Sequence, residues 1–241
     1  ALTFQDFAFD PRLAAGIAAS GYTQPTPIQQ AAIPEVLAGR DVLGVAQTST
    51  GKTAAFMLPI LQRLLDGPRK RPRALVLAPT RELAEQIAQA TREFAGKTGL
   101  RSVTVYGGVS KRDQADRLRR GAEIVVACPG RLLDIEDDGD LDLDGIEVLV
   151  LDEADRMFDM GFLPDIRRIL ALLPTRRQNL FFSATMPSAM RSLADSILID
   201  PASVSIGASA PAATVSQALY PTTEGLKGAL LAALLRDLGP E

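Results

Sequence analysis

Histidine is absent from the 241 residues, and cysteine occurs once, at Cys128. Without an imidazole there is no Ser-His-Asp triad, no Cys-His dyad and no HExxH zinc site. One cysteine makes neither an internal disulfide nor a four-cysteine zinc site, so nothing points to an oxidising compartment or a metal staple. Apolar runs stop at about eight residues, as at 228–235, far short of the roughly 18 that a membrane span needs. The start, ALTFQDFAFD, lacks the basic and apolar stretches of a signal peptide, so the expectation is a soluble cytoplasmic protein with no membrane partner. A basic excess is missing as well: 29 acids face 26 bases, and any nucleic-acid site must be a local patch. Catalysis is left to carboxylates, hydroxyls, lysine, arginine, backbone amides or a hard cation held by oxygen.

What is present is a rhythm. Short apolar runs stand at Asp41–Ala46, Arg73–Ala78, Arg101–Tyr106, Glu123–Ala127, Glu147–Leu151, Gln178–Ser183 and Ala202–Ile206. Most are apolar throughout, the pattern of strands covered on both faces. Between them lie helical stretches, clearest in Arg81–Lys97, where Leu83, Ile87, Ala90 and Phe94 share a face. This alternation predicts an α/β fold with a mostly parallel sheet, helices on both sides, and ligands at the carboxyl ends of the strands. Residues 1–40 read as two helices joined by the turn GYTQPTP, preceding a domain that spans 41–207. The length amounts to about 1.6 domains at roughly 150 residues each, and a turn of composition to Gly, Ala, Ser and Pro marks 208–214 as a linker. Beyond it 215–241 begins a second unit with a strand at Val215–Tyr220 and a helix at Leu226–Leu238. The run DIEDDGDLDLD (134–144) holds seven acids and no base, and reads as a solvated loop because it lacks calcium-loop spacing.

The strongest local signal is AQTSTGKT, comprising Ala46, Gln47, Thr48, Ser49, Thr50, Gly51, Lys52 and Thr53. A strand, a flexible loop and a helix start ending in Gly-Lys-Thr make a phosphate cradle. Backbone amides and the helix dipole face phosphate oxygens, Lys52 adds a point charge, and Thr53 offers a hydroxyl to Mg²⁺. The second signal is VLVLDEAD (148–155), an apolar strand ending in adjacent carboxylates. P-loop nucleoside triphosphatases use such a pair: Asp152 to support Mg²⁺, Glu153 to orient or deprotonate the attacking water.

With DEAD at 152–155, further pieces fall in order: Phe4, GYTQPTPIQ (21–29), APTREL (78–83), Gly107-Gly108, PGR (129–131), MFDMGF (157–162) and SAT (183–185). Over about residues 1–206 the chain resembles the N-terminal, RecA-like half of a DEAD-box ATP-dependent RNA helicase. The resemblance implies a three-layer P-loop NTPase fold, ATP and Mg²⁺ as cofactors, and catalysis by Lys52, Asp152 and Glu153. It implies that Phe4, Tyr22 and Gln29 read adenine, Gln29 with a bidentate amide; the plainer reading of the two aromatic residues is core packing of the first helix. Asp155, Ser183 and Thr185 are expected to hydrogen-bond and to link nucleotide to RNA; in the plainer reading SAT only caps the helix that follows Pro187. Pro79, Thr80, Arg81, Gly107, Gly108, Pro129, Gly130 and Arg131 are expected to line a sequence-independent RNA path of backbone and 2′-OH contacts.

Of two basic clusters, RKRPR (69–73) reads as a solvated loop rather than an RNA contact, and KRDQADRLRR (111–120) suits either an RNA-side or a solvated helix. Two positions depart from the family pattern: Ser49 where it usually has glycine, and Cys128 where it usually has threonine. If residue 49 takes a positive φ, its side chain costs about 1–2 kcal/mol, and the empty loop is expected to be altered or closed. The implied partner is a second RecA-like domain supplying arginines to the transition state; residues 215–241 would be its truncated start, so the isolated chain is expected to hydrolyse ATP weakly or not at all. The competing readings are a nucleotide-dependent RNA- or protein-binding module without significant hydrolysis, and a DNA-directed motor.

Overall fold

The strands owe their position to burial on both faces. In the computed structural model, which describes residues 2–47, 49–206 and 218–238, β2 (Ala74–Leu77), β4 (Ile124–Ala127), β5 (Val148–Leu151) and β6 (Gln178–Ser183) are buried at every residue. Successive side chains of a strand point to opposite faces. Val148 and Val150 accordingly enter one core, and Leu149 and Leu151 the other. With β1 (Val42–Val45), β3 (Ser102–Val105) and β7 (Ala202–Ser205) the sheet has the order β3-β4-β2-β5-β6-β1-β7. Each pairing among the described residues is parallel, with Val42 opposite Leu180 and Ala74 opposite Val148. The seven expected strands all form, and the sheet is parallel throughout rather than mostly.

Four helices cover one face: α1 (Pro11–Ala19), α2 (Pro27–Leu37), α3 (Lys52–Leu64) and α4 (Arg81–Ala95). The other face carries α5 (Lys111–Arg119), α6 (Pro129–Asp137), α7 (Ala154–Asp159), α8 (Leu163–Leu172) and α9 (Ser188–Ile197). Helix α3 is apolar on nearly every side and buried from Ala54 to Leu61, as suits a helix between a sheet and other helices. In α4 the buried face is Ala84, Ile87, Ala88, Thr91 and Phe94, so Leu83 and Ala90 sit at its margin rather than at its centre. The N-terminal helices join this same layer.

One contact fixes α1. A Cβ at Gly16 would stand 2.2 Å from the Phe94 carbonyl oxygen and 3.0 Å from its carbon, so the helix backbones of α1 and α4 touch where only glycine fits. Alanine gains about 1 kcal/mol of helix propensity, but the obstacle is backbone and cannot rotate away. Gly16→Ala is expected to destabilise by roughly 2 kcal/mol net and to lower Tm by about 4–8 °C in thermal denaturation; an unchanged Tm would refute the contact.

The acidic run is more structured than expected. Its first four residues finish α6, Leu141 and Leu143 are buried, and Asp137, Asp138 and Asp140 pair with Arg168, Lys111 and Arg119. Among the described residues no helix is long and apolar enough to cross a membrane. The chain divides into two units, Ala1–Gly207 and Ala208–Glu241. In the second, a 3-10 turn (Glu224–Leu226) leads into α10 (Lys227–Leu238). The expected linker 208–214 and the first half of the expected strand 215–220 lie outside the described residues.

Candidate functional site

Sheet order sorts the candidate residues. Reading along the carboxyl edge, β3 leads to Gly107-Gly108, β4 to Pro129–Arg131 and β2 to Pro79–Arg81; β5 leads to Asp152–Asp155, β6 to Ser183–Thr185 and β1 to the loop 46–53. The segments expected to touch RNA therefore leave three adjacent strands, and those expected to touch nucleotide leave the next three.

The loop after β1 is bonded to itself and to α2. Lys52, the first residue of α3 and 5% exposed, donates from Nζ to the Ala46 carbonyl at 3.0 Å. Thr50 Oγ1 donates to the Gln47 carbonyl, and Thr26 Oγ1 to the Thr50 carbonyl. Ser49 has φ 67°, the left-handed region that strains a side chain. The Lys52 amine is thus turned to the carbonyl of its own loop. Thr48 lies outside the described residues. The Thr53 hydroxyl is half-buried and takes no hydrogen bond among the described residues.

Gln29 is engaged rather than free. It is the third residue of a capping box: its Oε1 accepts from the Thr26 amide at 2.9 Å, and its Nε2 donates to the Gly51 carbonyl at 3.0 Å. Each amide end keeps one further bonding position, yet the side chain is 1% exposed, so reading a base requires the loop to open. Gly51 (φ 92°) admits this contact, since a Cβ there would meet Gln29 Nε2 at 2.4 Å. Phe4 and Tyr22 form an edge-to-face pair at 5.8 Å, and Tyr22 packs on Phe94 at 5.3 Å. Both line a cavity of about 580 Å³ in which Gln29 has no part. The aromatic pair and Gln29 are thus not gathered around one cavity, and Phe4 is built into the core.

Asp152 is buried, accepts the Glu153 amide at 3.0 Å and feels the Lys52 charge. Burial pushes its carboxyl up to about 6, an effect that the nearby Lys52 reduces. Glu153 stands at φ 51°, 8% exposed, with Arg156 at 3.3 Å; such left-handed non-glycine residues cluster at functional sites. The Thr53 hydroxyl and the Asp152 carboxylate are oxygen donors suited to Mg²⁺, which takes one or two protein oxygens and draws the rest from phosphate and water. Among the described residues no three metal-ligating side chains lie together.

Asp155 and the SAT segment meet as expected. Asp155 Oδ2 accepts from the Thr185 amide and hydroxyl, both at 2.9 Å; its amide donates to Ser183 Oγ, which donates to the Thr185 carbonyl at 2.7 Å. Burial pushes the Asp155 carboxyl up, but the hydrogen bonds from Thr185 and Ser183 prevail and hold it below the ordinary range.

On the RNA-side edge, Thr80 caps α4 by accepting the Leu83 amide, and Arg81 lies 5.0 Å over the Tyr106 ring. Arg131 donates to the Val109 carbonyl at 3.0 Å, tying the start of α6 to the Gly107-Gly108 loop. Burial pushes the Cys128 thiol up to about 11, so it adds no charge there. Sequence reasoning passed over Gln114, whose Oε1 accepts the Tyr106 amide while Nε2 donates to the Tyr106 and Ser110 carbonyls. It was hidden inside a basic run, and only its neutrality among charges marked it. The other basic run is corrected in part: Arg73 is 4% exposed, pairs with Glu147 at 2.6 Å and donates to the Leu64 carbonyl, so it is structural.

Residues 26–193 match the DEAD/DEAH box helicase family model. The chain belongs to this family. Among similar proteins, this helicase domain is 49% identical over 209 residues to DEAD-box ATP-dependent RNA helicase 24 of Oryza sativa subsp. japonica, covering 85% of this chain and 27% of that protein. It is 41% identical over 270 residues to Probable ATP-dependent RNA helicase DDX23 of Homo sapiens (98% and 33%). With ATP-dependent RNA helicase DeaD of Mycobacterium tuberculosis (strain ATCC 25618 / H37Rv) it shares 48% over 219 residues (90% and 39%). The helicase domain thus spans well under half of each of these relatives.

Proposed function

We propose that this domain is the ATP- and RNA-binding half of an ATP-dependent RNA helicase, coupling ATP hydrolysis to RNA duplex unwinding or RNP remodelling together with a second RecA-like domain. The observation that carries the reading is the Asp155–Thr185 hydrogen-bond pair, which follows β5 and β6 at the carboxyl edge, between the loop of β1 and the three RNA-side segments. Lys52 and the amides at the start of α3 hold phosphate oxygens. Glu153 orients the attacking water and accepts its proton. Thr53 and Asp152 would hold Mg²⁺, which would supply charge neutralisation at the phosphates. Gly107, Gly108, Pro129, Gly130 and Arg131, with Pro79, Thr80 and Arg81, take the RNA backbone without reading bases. The similar proteins bear the words "ATP-dependent RNA helicase" in their names, which supports both cofactor and substrate.

A binding module without hydrolysis has no use for Glu153 held at φ 51° beside Asp152. Steady-state ATP turnover by the 241-residue chain, with saturating single-stranded RNA or DNA of one sequence, tests the reading. Slow turnover is expected, with RNA bound more tightly than DNA. Robust stimulation by either strand would contradict the division of labour between two domains, and equal binding of both would favour a DNA-directed motor.

A further inference from the structure

The amino edge of the sheet, opposite the nucleotide and RNA segments, carries a groove of its own. One part, about 420 Å³, is lined by Val36, Leu37, Ala38 and Pro59, with Gln62 and Asp66 at its rim. The other, about 510 Å³, is lined by Arg63, Arg176, Arg177, Glu147 and Gln178. Gly39 and Arg63 belong to both, so the two are continuous: an apolar half and a basic half.

The floor is rigid. Gln178 donates from Nε2 to the Val36 and Arg40 carbonyls at 3.0 and 2.7 Å, and its Oε1 accepts from Arg63 at 2.8 Å. Charge in the basic half is unbalanced. Glu147 is shared by two bases, the buried Arg73 at 2.6 and 3.3 Å and Arg63 at 3.8 Å, so one carboxylate serves two guanidiniums and leaves an excess of positive charge. Arg177 directs donors to Asn179 Oδ1 and the Pro174 carbonyl but keeps its charge. Arg176 is exposed and has no partner among the described residues. Leu37, 38% exposed, faces solvent in the apolar half.

We propose that this groove docks an acidic segment of a partner protein, placing an apolar side chain over Leu37 and Pro59 and carboxylates on Arg63 and Arg176. Charge complementarity selects the partner: a guanidinium grips a carboxylate with two parallel hydrogen bonds. A nucleic acid is the poorer fit, because half of the lining is aliphatic and offers nothing to a charged backbone. Docking here leaves the opposite edge open to ATP and RNA, as suits a tethering or regulatory partner.

The test is fluorescence anisotropy on the 241-residue chain with a fluorescein-labelled peptide of about twelve residues, all glutamate but for a pair of leucines. Arg176→Glu breaks no contact in the structure and is expected to weaken binding about tenfold or more with an unchanged Tm; Leu37→Asp is expected to do the same, and saturating ADP or oligouridine to leave binding unaltered. Equal affinity in wild type and Arg176→Glu would overturn the site. Equal affinity of an all-glutamate peptide would overturn the apolar half, and displacement by oligouridine would reassign the groove to RNA.

Discussion

Titration of Mg·ADP into the Lys52→Ala variant is expected to give no binding heat at concentrations that saturate the wild type. Lys52 is the first residue of α3 and nearly buried, its amine 3.0 Å from the Ala46 carbonyl. Its charge is therefore held at the loop rather than spread through solvent. A charge-assisted bond in such a place is worth about 2–3 kcal/mol, a loss of roughly 30- to 150-fold in affinity. The variant also removes the cation that partly offsets the burial of Asp152, so the Asp152 carboxyl should titrate higher still. Unchanged affinity would refute the assignment of the loop.

The second large effect concerns Asp152 and has opposite signs for stability and activity. Its folded pKa, about 6, lies above the ordinary 3.8. The folded state thus holds this proton more tightly than the unfolded state, and the contribution to stability is full below pH 3.8, falls as pH rises, and is gone above about 6. Asn has the same shape and no charge to desolvate. Asp152→Asn is expected to match the wild type at about pH 4 and to exceed it at about pH 7–8 by on the order of 2–3 kcal/mol, or roughly 4–12 °C in Tm. The same change removes the carboxylate proposed to support Mg²⁺, and ATP turnover should fall to background. Equal Tm values for the two proteins at both pH extremes would show that Asp152 is not an uncompensated buried charge, and retained turnover would exclude its role in hydrolysis. A gain in stability on losing a catalytic group is the usual trade at active sites.

Strand positions between residues 41 and 206 were legible because burial on both faces leaves an apolar run with little alternation, and the seven strands expected there form. The loop 46–53 and the carboxylates 152–155 were legible because phosphate chemistry demands those residue types beside a strand end. The order of strands was not, since each parallel crossover permits several neighbours; that β6 lies between β1 and β5, bringing Thr185 to Asp155, is a property of the folded sheet. Arg73 was misjudged for a related reason. In sequence it is the last base of an exposed run, but it sits one residue before a buried strand, where Glu147 from the start of β5 neutralises it. Gln29 shows the limit of assigning a role by residue type: an amide suited to adenine is equally suited to the Thr26 and Gly51 backbone, and in the structure it bonds to them.

The bonding of Gln29 and Lys52 to the loop gives nucleotide entry a structural consequence. In the proposed function, phosphate binding would release the Ala46 carbonyl from Lys52 and adenine reading would draw on Gln29, so both would act on one loop. Each of these roles requires the carboxyl edge of β1 and β5 to be an adenine-nucleotide site. Calorimetric titration of the 241-residue chain with Mg·ADP and, separately, Mg·GDP tests this most directly. Saturable binding of ADP with at least about tenfold weaker binding of GDP is the predicted result; no heat from either nucleotide, or equal affinity for both, would contradict it.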